Sequence, residues 1–127
     1  MLERTTLVRL AWAIRIVWIF CLAAGTYNHS LILIHHGWDW RYGGMPIGAV
    51  IFWTSLTLLD PLVAILLFLK PKLAAIMLMI LMAGDVANNT WVILKYGGEG
   101  WMVASQWIFL VFVLTTIGFV WRATNRD

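Results

Sequence analysis

Apolar residues run along this chain in four long blocks, each closed by charge, glycine or proline instead of being cut by a regular polar period. The blocks extend over about Leu10 to Ile34, Pro46 to Leu69, Leu73 to Leu94 and Trp101 to Trp121. A helix that is apolar on every side belongs in a large core or a bilayer, and about 20 residues suffice to cross a bilayer. Each block therefore predicts a spanning helix. The connections, His35 to Met45, Lys70 to Lys72 and Lys95 to Gly100, are short. Short connections make consecutive helices antiparallel neighbours. The expected fold is an all-α, up-and-down antiparallel bundle of four transmembrane helices, with residues 1–127 forming a single membrane domain.

Composition sharpens this picture. The chain is 62% hydrophobic and only 12% charged, with a mean hydropathy of +0.86, whereas a soluble domain carries about 25% charged residues. Four spans take about 80 residues, so no separate soluble domain fits in what is left. Of the nine Lys and Arg residues, seven (Arg4, Arg9, Arg15, Lys70, Lys72, Arg122 and Arg126) fall on one side of the blocks and two (Arg41 and Lys95) on the other. Cytoplasmic connections collect positive charge, so both termini are expected in the cytoplasm, of a bacterial inner or plasma membrane. The same dispersal argues against nucleic acid, which asks for cations gathered on one face. A cleaved leader ending near Ala23, Ala24 and Gly25 is the competing reading of the first block, but its cleavage pattern is weak. Cys21, alone in an apolar stretch, forms no intrachain disulfide.

Nine tryptophans are unusual for this length. Most fall where interfacial aromatic belts belong: Trp38, Trp40 and Trp101 toward the outside, with Tyr42 and Tyr96, and Trp12, Trp18 and Trp121 toward the inside. Trp53, Trp91 and Trp107 are left as candidate pocket walls.

Ionisable groups inside a span are costly and mark function more often than not. Asp85 lies 12 residues after Leu73, about 18 Å along its helix and slightly outward of the midplane. Asn88 and Asn89 follow at spacings that share its face. The first block brings Thr26, Tyr27, Asn28, His29 and Ser30 to the same depth, and Gln106 enters from the outer end of the fourth block. The expected site is therefore an outward-half pocket built from Tyr27, Asn28, His29, Asp85, Asn88, Asn89 and Gln106, walled by Trp91 and Trp107. Such groups also serve as plain interhelical hydrogen-bond glue.

Asp60 and Pro61 suggest either a helix break with the acid as N-cap or, more commonly, a proline kink. Asp60 is expected below the Asp85 group, and the two acids together suggest a vertical proton path. His35, His36 and Asp39 match metal ligands in type, but no fourth ligand is near, and Met77, Met79 and Met82 read as core fillers, not haem ligands. No metal and no cofactor are expected, and no nucleophile or phosphate-loop motif is present.

Three functions fit these residues. The leading one is binding or transport of an amphipathic or cationic small molecule or lipid, coupled to the protonation of Asp85. The others are an intramembrane acid/base enzyme using Asp85 and His29, and an accessory or assembly subunit of a larger membrane complex. Expected partners are the lipid bilayer, such a small molecule, and a second copy or a larger complex.

Overall fold

The computed structural model describes residues 2–125, and Arg126, one of the cations used above for orientation, lies outside them. It is all-helical, with α1 at Arg4–His36, α2 at Ile47–Leu69, α3 at Pro71–Tyr96 and α4 at Gly100–Thr124. Each helix is long and apolar enough to cross a membrane. The helices overrun the apolar blocks at most ends. α1 begins six residues before Leu10 and ends two beyond Ile34, because backbone hydrogen bonding continues into interfacial polar residues once a helix has started.

The helices form a closed ring of neighbours: α1 packs on α2 and α4, and α3 packs on α2 and α4. Their outward faces are hydrophobic. Leu94 is 83% exposed, Ile34 77% and Phe20 72%, a surface that water would penalise and that hydrocarbon satisfies. These are the marks of an integral membrane protein.

The interior divides along its length. The dry core gathers Leu7, Trp18 and Leu22 of α1, Val63 and Leu67 of α2, Ala74, Leu78 and Val86 of α3, and Val113 and Val120 of α4. Most of these lie toward the end of the ring that carries the termini and the α2–α3 connection, with Val86 reaching the level of Asp85. Fully buried Ala74 and Ala75 let the α3 backbone approach its neighbours closely. The hydrogen-bonded side chains of Trp53, Asn89 and Gln106 lie toward the opposite end, so apolar packing near the termini is matched by polar contacts at the other end.

The α2–α3 connection is tighter than the three residues the sequence suggests, since Lys70 alone separates the helices. Pro71 starts α3, where a missing N–H costs that helix nothing. The carbonyl of Leu67 lies in the last turn of α2, and because the chain leaves helical geometry at Lys70 it has no backbone donor. Arg15, itself buried, donates to the Leu67 carbonyl and, at 3.5 Å, to that of Phe68. Its guanidinium also lies 3.8 Å from the Trp12 ring centroid. Arg15 thus closes the C-terminal end of α2 from the neighbouring helix, besides being one of the inner cations. On the same side, Lys72 donates to Asn125 and sits 5.4 Å from the Trp121 ring, tying the start of α3 to the end of α4.

Replacing Arg15 by Met should destabilise the detergent-solubilised protein by about 1–3 kcal/mol, the cost of stranding a buried acceptor. Arg15→Lys should lose less, since an ammonium can still donate to that carbonyl. Unfolding curves for the two variants check this, and equal losses would show that the contact with Leu67 contributes nothing to Arg15's role.

Candidate functional site

The hub of the polar half is Asn89 on α3. Its Nδ2 donates to Asp85 Oδ1 at 2.8 Å, one helical turn back, and to Gln106 Oε1 on α4 at 2.9 Å. Its Oδ1 accepts from Trp53 Nε1 on α2 at 2.7 Å. One amide, with two donors and an acceptor, thereby links three helices and uses each kind of group it has. Asp85 and Gln106 meet through Asn89, with no direct bond between them.

Asp60 is buried on α2 and close enough to Asp85 for their charges to interact. The two carboxylates thus act on each other across the α2–α3 contact, while the contacts of Trp53 with Asn89 and of Phe52 with Gly84 leave Asp60 nearer the α2–α3 connection than Asp85. Helix α2 passes through Pro61 without interruption, so the helix-break reading is overturned and Asp60 is no N-cap. What admits the carboxylate is Gly25 on α1: a Cβ at that position would lie 2.6 Å from Asp60 Oδ2. Asp60 feels the charge of Asp85, and Asp85 is held by the neutral Asn89 amide.

The first-span patch does not join this network. Tyr27 is 64% exposed and Asn28 also faces outward, because α1 turns them away from the side that meets α2 and α4. Thr26 returns its hydroxyl to the Leu22 carbonyl at 2.9 Å. His29 does turn inward, but into a separate recess of about 10 Å³ shared with Tyr42, Thr54 and Thr57, space for about one water. Thr57 is the residue whose carbonyl Pro61 deprives of its helical donor, and His29 Nδ1 is buried there without a partner among the described residues. Asn88 shares the α3 face, with its Nδ2 likewise buried and unpartnered.

Trp91 and Trp107 are half-exposed and form no pocket wall. Trp91 packs edge-on to Tyr96 with Lys95 5.1 Å from its ring, and Trp107 donates to Thr90 at 3.0 Å. Both side chains pair on the outside of α3 and α4.

Sequence reasoning missed the aromatic series that reaches the hub. His36 stacks on Trp40 at 3.6 Å between centroids, Trp40 meets Tyr42 at 4.4 Å, and Tyr42 meets Trp53 at 4.8 Å. Rings thus run unbroken from the end of α1, through the connection, to the indole that donates to Asn89. Tyr42 holds a left-handed backbone, φ 52°, the sole non-glycine to do so among the described residues. Packing between two indoles and a hydrogen bond with Thr54 offset that strain. Burial pushes the Tyr42 phenol up while the Thr54 bond opposes it, so at neutral pH it stays uncharged and able to donate. The clue lay in Tyr42 preceding Gly43 and Gly44, whose positive φ values close the connection. Interfacial position alone gave no reason to turn that ring inward.

Compared with known proteins, the chain matches no family model, no curated protein and no solved structure. Its function is read from this geometry.

Gly25→Ala should destabilise the bundle by about 1–3 kcal/mol through the forced shift of Asp60. Asp60→Ala in the same protein should recover most of that, since it removes the atom in the way. Thermal unfolding in detergent checks both, and a full Gly25→Ala penalty in the Asp60→Ala background would show that the close approach lies elsewhere.

Proposed function

We propose that this chain is a four-span plasma-membrane protein, with both termini cytoplasmic, that binds an amphipathic cation or a lipid-like amine through Asp60 and Asp85 and exchanges it for protons. The observation that carries this reading is the pair of acids inside the bundle, Asp60 within range of the Asp85 charge and Asp85 held by the neutral Asn89 amide. Two carboxylates in an apolar bundle require a counter-charge. Protons serve at low pH and a cationic ligand at higher pH, and this competition is the elementary step of proton-coupled handling. The aromatic series from His36 to Trp53 supplies ring faces that attract a lipophilic cation along the way.

The antiparallel arrangement is supported by the pairs that touch. Arg15 meets Leu67, Gly25 meets Asp60 and Lys72 meets Asn125, so residue numbers rise along one helix as they fall along its neighbour. The excess of Lys and Arg at the termini and the α2–α3 connection supports the cytoplasmic assignment. A cysteine placed at Gly98 should accordingly be labelled by a membrane-impermeant maleimide from outside intact cells. Labelling only after the inner face is opened would reverse the orientation.

A second reading, an accessory subunit of a larger complex, is favoured by the saturation of Asn89 by three helices, as structural glue requires. The enzyme reading has less to rest on, since His29 and Asp85 share no hydrogen bond among the described residues and His29 sits in its own recess.

Binding of tetraphenylphosphonium to the purified protein should strengthen as pH rises and the carboxylates shed protons. Asp85→Asn should flatten that dependence while the protein stays folded, because the amide keeps the shape and loses the titration. An unchanged pH profile in both Asp85→Asn and Asp60→Asn, together with a larger protein retained on isolation in mild detergent, would favour the accessory reading.

A further inference from the structure

The connection between α1 and α2 builds a second site, apart from the buried acids. A groove of about 530 Å³ opens beneath it, with Trp38, Asp39 and Arg41 at the mouth and Ile47, Ile51 and Leu58 among the residues along its wall. From Ile47 to Leu58 the wall runs eleven residues along α2, about 16 Å, close to one leaflet of a hydrocarbon core about 30 Å thick. The wall is mostly apolar, its two hydroxyls, Thr54 and Ser55, being engaged by Tyr42 and by the Phe52 carbonyl, and the mouth carries one charge of each sign. The Arg41 carbonyl accepts from the Gly44 and Met45 amides, but neither the Asp39 carboxylate nor the Arg41 guanidinium bonds or pairs with another described residue, so both charges remain free to meet a ligand.

We infer that this groove holds one phospholipid with a zwitterionic amine headgroup, its acyl tail along α2, its phosphate at Arg41 and its ammonium at Asp39. Length and charge pattern together select this occupant. A fatty acid or an anionic lipid would satisfy Arg41 but leave Asp39 facing negative charge, while a simple lipophilic cation would leave Arg41 without a partner. The guanidinium fork suits phosphate oxygens, and the Trp38 indole, at the mouth, suits the polar boundary of the leaflet. This inference rests on the membrane reading of the four helices and is independent of the roles given to Asp60 and Asp85, so the two fail separately.

Native mass spectrometry of the full-length protein, released from mild detergent with phosphatidylethanolamine or phosphatidylglycerol of identical acyl tails, provides the test. One phosphatidylethanolamine per protein molecule should be retained, in preference to phosphatidylglycerol by about two- to fivefold, the scale of an exposed ion pair. Arg41→Gln should lower retention of both lipids. Asp39→Asn should abolish the preference while keeping binding, and Lys95→Gln, which alters the other outer cation, should change neither. Free phosphoethanolamine should fail to displace the lipid, since the acyl tail supplies most of the contact. Both altered residues of the groove are exposed on the connection, so helical circular dichroism should be unchanged and a loss of lipid will not report unfolding. Headgroup-indifferent retention, or equal losses in Arg41→Gln and Lys95→Gln, would reduce the groove to ordinary boundary lipid and overturn the assignment.

Discussion

A backbone carbonyl that loses its helical donor in water is solvated at once, but in hydrocarbon it must find a partner within the protein. This constraint organises the molecule. Pro61 removes the helical donor of the Thr57 carbonyl, and the end of α2 at Lys70 leaves the Leu67 carbonyl without one. At Leu67 the replacement is Arg15, brought from α1 into the end of α2. Thr57 lies beside the recess of about 10 Å³ that His29, Tyr42 and Thr54 also line, room for about one water. Two polar features of the interior thus stand at gaps in the backbone bonding of α2, one in mid-helix and one at its C-terminal end.

The consequence is a division of labour along the bundle. Around Trp18, Leu67, Leu78 and Val120 the helices meet through tightly packed apolar side chains and small alanines, and this half supplies the rigidity. The other half trades packing for hydrogen bonds centred on Asn89. Such networks specify one arrangement of helices because an unmatched amide in hydrocarbon is expensive. The same division puts two carboxylates where side chains are polar and the backbone of α1 can approach closely at Gly25. A site of this kind needs firm support on one side and polarisable surroundings on the other, and the fold provides both.

The connection from Gly37 to Pro46 does more than join α1 to α2. Its aromatic residues turn inward to reach Trp53, while its charges turn outward beside the groove on α2. The left-handed Tyr42 is the point where the backbone passes from one task to the other. A single loop therefore touches both the buried polar hub and the surface exposed to lipid.

The sequence by itself determined the class of protein, because the length and unbroken hydrophobicity of four blocks leave no other solvent for them. It also determined the α3 partners Asp85 and Asn89, whose spacing of four residues places them on one helical face whatever surrounds them. Gln106 was legible through its depth. What the tertiary structure decided is everything that depends on the rotation of one helix about its axis relative to the next. Depth counted in residues brought Tyr27 and Asn28 level with Asp85, but the rotation of α1 turns them outward and gives the contact with α2 to Gly25 instead. Arg15, readable from sequence only as an inner cation, became a cap because α2 ends beside it. Asp60 and Asp85 came within range of each other's charge because α2 packs against α3. Hydrophobic pattern says how deep a residue sits when all faces are apolar, but it carries no phase, and phase is set only when the helices meet.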